Sequence, residues 1–245
     1  QGDRAPQLKK WLPWAAGLSV LVALASLGQN GLLFGQTYQV DRLSQFFKMT
    51  VSFGFFLTVI NGVEQPLLEK EKQCDYFLFM ALSAWGLMLL CSTVELISIY
   101  LALELASFSL FPLVPLRTKS LSAAEAAIKY MFIGGVATAV GLFGFSYILA
   151  AQHTTDLNQL VHMSWSWSHR PMAVLGLTFF LSGLLFKLAF FPFHFWAPDV
   201  YEGAGNETAA YIAVLPKVGA VAVLLRFSPL LKPGMEITTI LAVLA

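Results

Sequence analysis

The sequence predicts an all-α fold, a polytopic membrane helix bundle, and three observations carry that expectation. The chain is 57% hydrophobic and only 12% charged, about half the charged share of a soluble domain. Its apolar residues gather in runs of about 20, the length that crosses a bilayer. Strand signals are almost missing between them. A mean hydropathy of +0.69 agrees. The formal net charge of +1 gives no basic footprint for nucleic acid. The whole chain, residues 1–245, reads as a single membrane domain with lipid as its main surroundings and no soluble domain.

Taken in order, spans are predicted at about 11–28, 42–62, 75–92, 94–115, 122–151, 171–196 and 207–227, with an eighth cut from 237 to 245. The chain starts on Gln1 and stops inside that last run, so it is expected to be part of a longer subunit. The fragment Gly35-Gln-Thr-Tyr-Gln-Val40 suits a short extended segment outside the membrane. Ser92 with Glu95, and Ser122 with Glu125, have the spacing of capping boxes that open helices. Asn206 is placed to cap the helix of 207–227, with Glu207 at its positive end. Asn206-Glu-Thr208 also matches a glycosylation sequon, but a site abutting a membrane segment favours the cap.

Charge in the connections predicts a topology. Arg4, Lys9, Lys10, Lys70, Lys72, Arg117 and Lys119 share one side, against Arg42, Lys48, Arg170, Arg226 and Lys232 on the other. The richer first side is expected to be cytoplasmic. In 122–151, Gly134, Ala137, Gly141 and Gly144 recur at helical spacing, a face that lets a neighbouring helix approach closely. Trp165, Trp167 and Trp196 are expected near membrane boundaries. Cys74 and Cys91 fit neither a metal motif nor a redox pair.

Ionisable residues inside spans are the functional signal, because each costs roughly 2.5–3.5 kcal/mol at mid-bilayer. Glu104 lies near the middle of 94–115, where no capping role exists. Lys187 lies in 171–196, five residues before Pro192, whose missing N–H should break the helix just beyond the lysine. Lys217 follows Pro216 near the centre of 207–227. Lys129 lies close enough to the start of its span to snorkel. His194 either passes protons near neutral pH or bonds to carbonyls freed by the break. No haem, iron–sulfur or nucleotide motif is visible, so no cofactor is expected in this chain.

Glu104 in its apolar helix, the run Ser120-Leu-Ser-Ala-Ala-Glu-Ala-Ala-Ile-Lys129-Tyr, and Lys187-Leu-Ala-Phe-Phe-Pro192-Phe-His194-Phe-Trp-Ala-Pro198-Asp199-Val-Tyr201-Glu-Gly203 together resemble the antiporter-like, proton-translocating subunits of respiratory complex I. The Pro-Asp-Val-Tyr-Glu-Gly wording is similar to subunit N rather than to subunits L and M. The resemblance implies an antiporter-like fold of fourteen helices in two inverted repeats, each with a broken transmembrane helix. This chain would then be the first inverted repeat. It further implies proton transfer by Glu104, Lys187 and Lys217, with Lys129 and His194 at less central positions. Quinone, flavin and iron–sulfur clusters are implied in partner subunits, and the chain would act as one membrane subunit of a NADH:quinone oxidoreductase-type translocase. The location implied is an energy-transducing membrane such as the bacterial inner membrane. Gly205-Asn-Glu-Thr-Ala departs from the family, which usually has proline there. The rival expectations are a subunit of a multisubunit cation/proton antiporter and a non-transporting membrane anchor of a redox assembly. On the favoured reading Glu104 and Lys187 form an ion pair across facing helices.

Overall fold

The computed structural model describes residues 5–62, 68, 70–116 and 120–230. The eighth predicted run, with Arg4, Arg117, Lys119 and Lys232, lies outside the described residues. The elements are helices α1 (Ala5–Ala25), α2 (Arg42–Gly62), α3 (Gln73–Ser92), α4 (Leu96–Phe108), α5 (Leu121–Gln152), α6 (Leu157–Leu160), α7 (Pro171–Leu188), α8 (Trp196–Gly203) and α9 (Asn206–Phe227), with a hairpin of β1 (Gly31–Leu33) and β2 (Tyr38–Val40). Among the described residues, six segments are long and apolar enough to cross a membrane, and the apolar part of α1, Lys10–Ala25, is shorter. The chain is a multi-pass membrane protein.

The spans follow the predicted runs because length and hydropathy decide them. Their ends differ where local chemistry intervenes. Ser92 is the last residue of α3, and Glu95 itself caps α4, its carboxylate accepting from the Ser98 amide at 2.8 Å and the Ser98 hydroxyl at 2.7 Å. Burial pushes the Glu95 carboxyl up, but bonds from Thr155 and Ser98 outweigh it and hold it below its ordinary value. The α5 cap is Ser120, accepting from the Ala123 amide at 3.2 Å, two residues ahead of the expected Ser122. Gly205 precedes α9, so Asn206 is its first residue and makes no cap. The predicted span 94–115 is α4 followed by a tighter 3₁₀ turn, Phe111–Leu116. Pro112 lies at this change and has no amide to continue the α ladder.

The expected extended fragment is the second arm of an antiparallel hairpin, Gly31 opposite Val40 and Leu33 opposite Tyr38. Its turn passes through left-handed backbone at Phe34, Gly35 and Gln36. The hairpin closes one end of the bundle, where the Val94 amide donates to Thr37 O at 3.0 Å.

At that same end the Arg226 guanidinium bonds both Asp41 carboxylate oxygens at 3.1 Å and the Cys91 carbonyl at 3.0 and 3.2 Å. This clamp joins the C-terminus of α9 to α2 and α3. Burial pushes the Asp41 carboxyl up, but the Ser44 amide and Arg226 outweigh that and hold it below its ordinary 3.8. Arg170 bonds Gln152 Oε1 at 3.1 Å and the Ala151 carbonyl. Arg42, Arg170 and Arg226 thus share an end, the grouping expected from the order of the connections.

The small-residue face of α5 packs against α7. A Cβ on Gly144 would lie 2.5 Å from Gly176 O, and one on Gly176 would lie 2.7 Å from Gly144 O, so the two backbones touch. Of the three tryptophans expected at membrane boundaries, Trp167 is exposed, but Trp165 and Trp196 are buried. Their indole N–H groups found internal carbonyls, Leu160 O at 2.9 Å and Phe186 O at 3.1 Å.

Candidate functional site

The break in the 171–196 run falls where Pro192 requires it. Helix α7 stops at Leu188, one residue past Lys187, and α8 begins at Trp196. Ala189 closes α7 in the left-handed region, φ 55°, with its amide donating to the Leu185 and Phe186 carbonyls. The Phe190 amide also donates to Leu185 O, at 3.1 Å. Together with the Trp196 indole, these donors satisfy carbonyls that a helix end leaves free. Lys187 therefore occupies the last turn of α7, where the helix dipole favours a cation.

Lys187 and Glu104 line one cavity of about 20 Å³, together with Tyr100, Thr138, Gly183 and Leu184. That is room for about one water. Glu104 is 8% exposed, and its Oε1 accepts from the Thr138 hydroxyl at 2.9 Å. Its Oε2 is buried without a hydrogen-bond partner. The Lys187 ammonium donates to Ser107 Oγ at 2.5 Å. The direct ion pair expected between Glu104 and Lys187 is not formed: among the described residues, ion pairs within 4.0 Å include those of Lys129 with Glu125 and Asp199 and of Arg226 with Asp41, but none joins Glu104 to Lys187. The reason is local. Each charge is held by a hydroxyl from a different helix, Ser107 on α4 and Thr138 on α5.

Lys217 lies on α9, which runs unbroken through Pro216. Its Nζ sits 5.8 Å from the centre of the Tyr201 ring on α8, a cation–π approach. The Lys187 Nζ stands 5.6 Å from the Phe186 ring. Trp196 lies between, 5.3 Å from Phe186 and 6.1 Å from Tyr201, and stacks on Tyr130 at 4.8 Å. An aromatic cluster thus fills the break with a lysine at each edge, and the buried Tyr201 hydroxyl within it has no hydrogen-bond partner.

The two other sequence candidates stand apart. Lys129 bonds Asp199 at 2.7 Å and Glu125 at 2.9 Å, with side chains 43%, 46% and 68% exposed. It fastens α8 to α5 rather than facing the cavity. His194 stacks on Phe195 at 4.8 Å, and its Nδ1 is buried without a partner. No hydrogen bond or ion pair joins it to Lys187 or Lys217 among the described residues. Nor does it bond the carbonyls freed by the break, which Ala189, Phe190 and Trp196 serve. Among the described residues no three His, Cys, Asp or Glu side chains converge as a metal site.

Sequence reasoning missed Ser107, Thr138 and Tyr201. Ser107 had a signal, being three residues past Glu104 and so on the same helix face. Thr138 lies among the small residues of α5 and had none.

The chain matches the family described as NADH:quinone oxidoreductase/Mrp antiporter, TM, over residues 93–245. It is 56% identical over 243 residues to NADH-quinone oxidoreductase subunit N 2 of Solidesulfovibrio magneticus, covering 99% of this chain and 52% of that one. The fold is similar to a chain of respiratory complex I from Thermus thermophilus with bound aureothin, at TM-score 0.78 and 30% identity, covering 91% of this chain and 48% of that one. It is also similar to a chain of the Mrp complex from Dietzia sp. DQ12-45-1b, at TM-score 0.78, 16% identity and 93% and 45% coverage; that likeness concerns the fold alone. The chain spans about half the length of the curated relatives it matches.

Proposed function

Since the chain belongs to the NADH:quinone oxidoreductase/Mrp antiporter transmembrane family, we propose that it is the first-repeat portion of a proton-translocating subunit in a complex I-like NADH:quinone oxidoreductase. Its partners are other membrane subunits of that assembly, some of which carry flavin and iron–sulfur clusters and serve quinone. Its membrane is the bacterial inner membrane. The observation that carries the reading is the shared cavity: a buried carboxylate with one orphaned oxygen and a lysine at a helix break face the same water-sized space. A buried, unsatisfied carboxylate oxygen is costly unless a proton or water visits it.

In the proposed cycle an electrostatic change from a neighbouring subunit alters the balance between Glu104 and Lys187. Lys187 releases its proton toward Lys217, across the break lined by Trp196 and Tyr201. Two unit charges about 5 Å apart at an effective dielectric near 20 interact by roughly 3 kcal/mol, enough to change proton occupancy about a hundredfold. The reading as a cation/proton antiporter subunit shares these residues, but the 56% identity to a subunit N relative favours the redox assembly.

The test is Lys187→Ala in the complete complex, assayed for proton uptake into vesicles and for quinone reduction. Proton yield per electron should fall at least tenfold. An unchanged yield with intact quinone reduction removes Lys187 from the path. Sodium-dependent growth of a deletion strain with normal quinone reduction would instead support the antiporter.

A further inference from the structure

Glu104 and Lys187 face one cavity yet form no ion pair within 4.0 Å, and the two hydroxyls that hold them apart are oriented in opposite ways. Ser107 Oγ lies 2.7 Å from the Leu103 carbonyl one turn back, and donates its proton there. The hydroxyl's only remaining capacity is to accept, and it faces Lys187 Nζ at 2.5 Å. A hydroxyl with its own proton already committed binds a donor and turns away a carboxylate. Ser107 can therefore hold the lysine amine, charged or neutral, and cannot bind Glu104 in its ionised form. Thr138 has the opposite arrangement. Its hydroxyl donates to Glu104 Oε1 at 2.9 Å, taking one carboxylate oxygen toward α5. The second oxygen stays buried and unpartnered beside the cavity.

We propose that Ser107 and Thr138 are positioning residues that hold Lys187 and Glu104 apart, so that the pair rests open and closes only when an outside field overcomes two hydroxyl bonds. This rests on the proton-translocating reading above. A closed pair would satisfy Glu104 Oε2 and occupy one of the three Lys187 donors at once. Such an arrangement would be a trap, since neither group would readily exchange a proton with a third. The two hydroxyls come from neighbouring helices, so the gap is set by how α4 and α5 pack and is sensitive to their displacement. Gly183 and Leu184, one turn before the lysine, give that part of the cavity wall an apolar lining, and Tyr100 is a further polar residue of the wall.

The experiment is Ser107→Ala in the complete complex, with Ser107→Thr as the conservative variant, and with Lys187→Ala as the reference. Three readouts are taken: proton yield per electron, quinone reduction, and a density map of each variant. Removing the hydroxyl should let the lysine swing to Glu104, with Nζ within about 4 Å of a carboxylate oxygen, normal hydrogen-bonded ion-pair range. Proton yield should fall about tenfold, the factor one charge-assisted hydrogen bond controls, while Ser107→Thr keeps the wild-type yield and the open geometry. Glu104→Asp in the Ser107→Ala background, with a carboxylate one methylene farther back, should recover part of the loss. A Ser107→Ala complex with wild-type yield, or one whose map leaves Lys187 in place with only solvent where the hydroxyl was, overturns the spacer role. If Lys187→Ala itself pumps normally, the proton-translocating reading fails. If Lys187→Ala is inactive and Ser107→Ala is not, only the present inference fails.

Discussion

Replacing Arg226 with Met tests whether the clamp at one end of α9 holds that helix, and with it Lys217, in place. The side chain is 8% exposed, and Met keeps most of its apolar length while deleting every donor. The change strands the Asp41 carboxylate, which loses two bonds of 3.1 Å, and the Cys91 carbonyl, which loses two more. Breaking a buried ion pair from one side costs about 3–5 kcal/mol. Asp41 is 26% exposed and retains the Ser44 amide at 2.7 Å, which places this site at the low end, about 3 kcal/mol. For a chain of this size, that lowers the unfolding midpoint by roughly 6–12 °C. Cys91 is buried and lies at the clamp, so in a Cys74→Ser background the rate at which a thiol-reactive dye labels Cys91 of the purified subunit in detergent reports its opening. The pH dependence gives a second check. The Asp41 carboxyl is depressed below its ordinary 3.8, so its contribution is complete above about pH 4 and is lost as pH falls through the lower folded value. The gap between wild type and Arg226→Met should therefore be constant from pH 5 to 8 and narrow below pH 4. A variant that unfolds within about 1 °C of wild type at neutral pH would refute the clamp.

Two further changes probe the frame around the site. Gly144→Val drives a side chain into Gly176 O and the Phe180 amide, both 2.5 Å from the added Cβ, so α5 and α7 must separate. A loss of about 1–3 kcal/mol is expected in the same unfolding assay, whereas Gly135→Ala, with open space at its Cβ, should leave the midpoint unchanged or raise it. Asp199→Asn removes one partner of Lys129, but the pair is largely exposed and Glu125 remains at 2.9 Å. Its unfolding midpoint should shift by less than about 2 °C and lose what salt dependence the pair confers; a larger shift would show that α8 depends on Lys129 for its position.

The agreement between sequence and structure has a pattern. The spans 42–62 and 122–151 were legible almost to the residue, because hydropathy over about 20 positions is a summed signal that single residues barely disturb. The break after Lys187 was legible for a different reason: Pro192 removes a specific donor, and that consequence does not depend on neighbours. Helix caps were legible only to within two or three residues. Ser92 and Ser122 had the right chemistry, but Glu95 and Ser120 hold the non-helical backbone that a cap needs. Trp165 and Trp196 turn inward because an indole has both an apolar body and a donor, and burial beside Leu160 O and Phe186 O serves both.

What the chain alone determined is which charges enter the membrane and where its helices start, stop and break, since these follow from local composition and covalent restrictions. What only the tertiary structure decided is who holds those charges. Glu104 meets Thr138 from 34 positions away and Lys187 meets Ser107 from 80, while Lys129 turns outward to Asp199. Such pairings depend on how α4, α5 and α7 pack, and that packing is set by backbone contacts such as Gly144 against Gly176. A hydroxyl has no preference for a carboxylate or an ammonium until the neighbouring carbonyl takes its proton, and no local pattern in a sequence shows which one will.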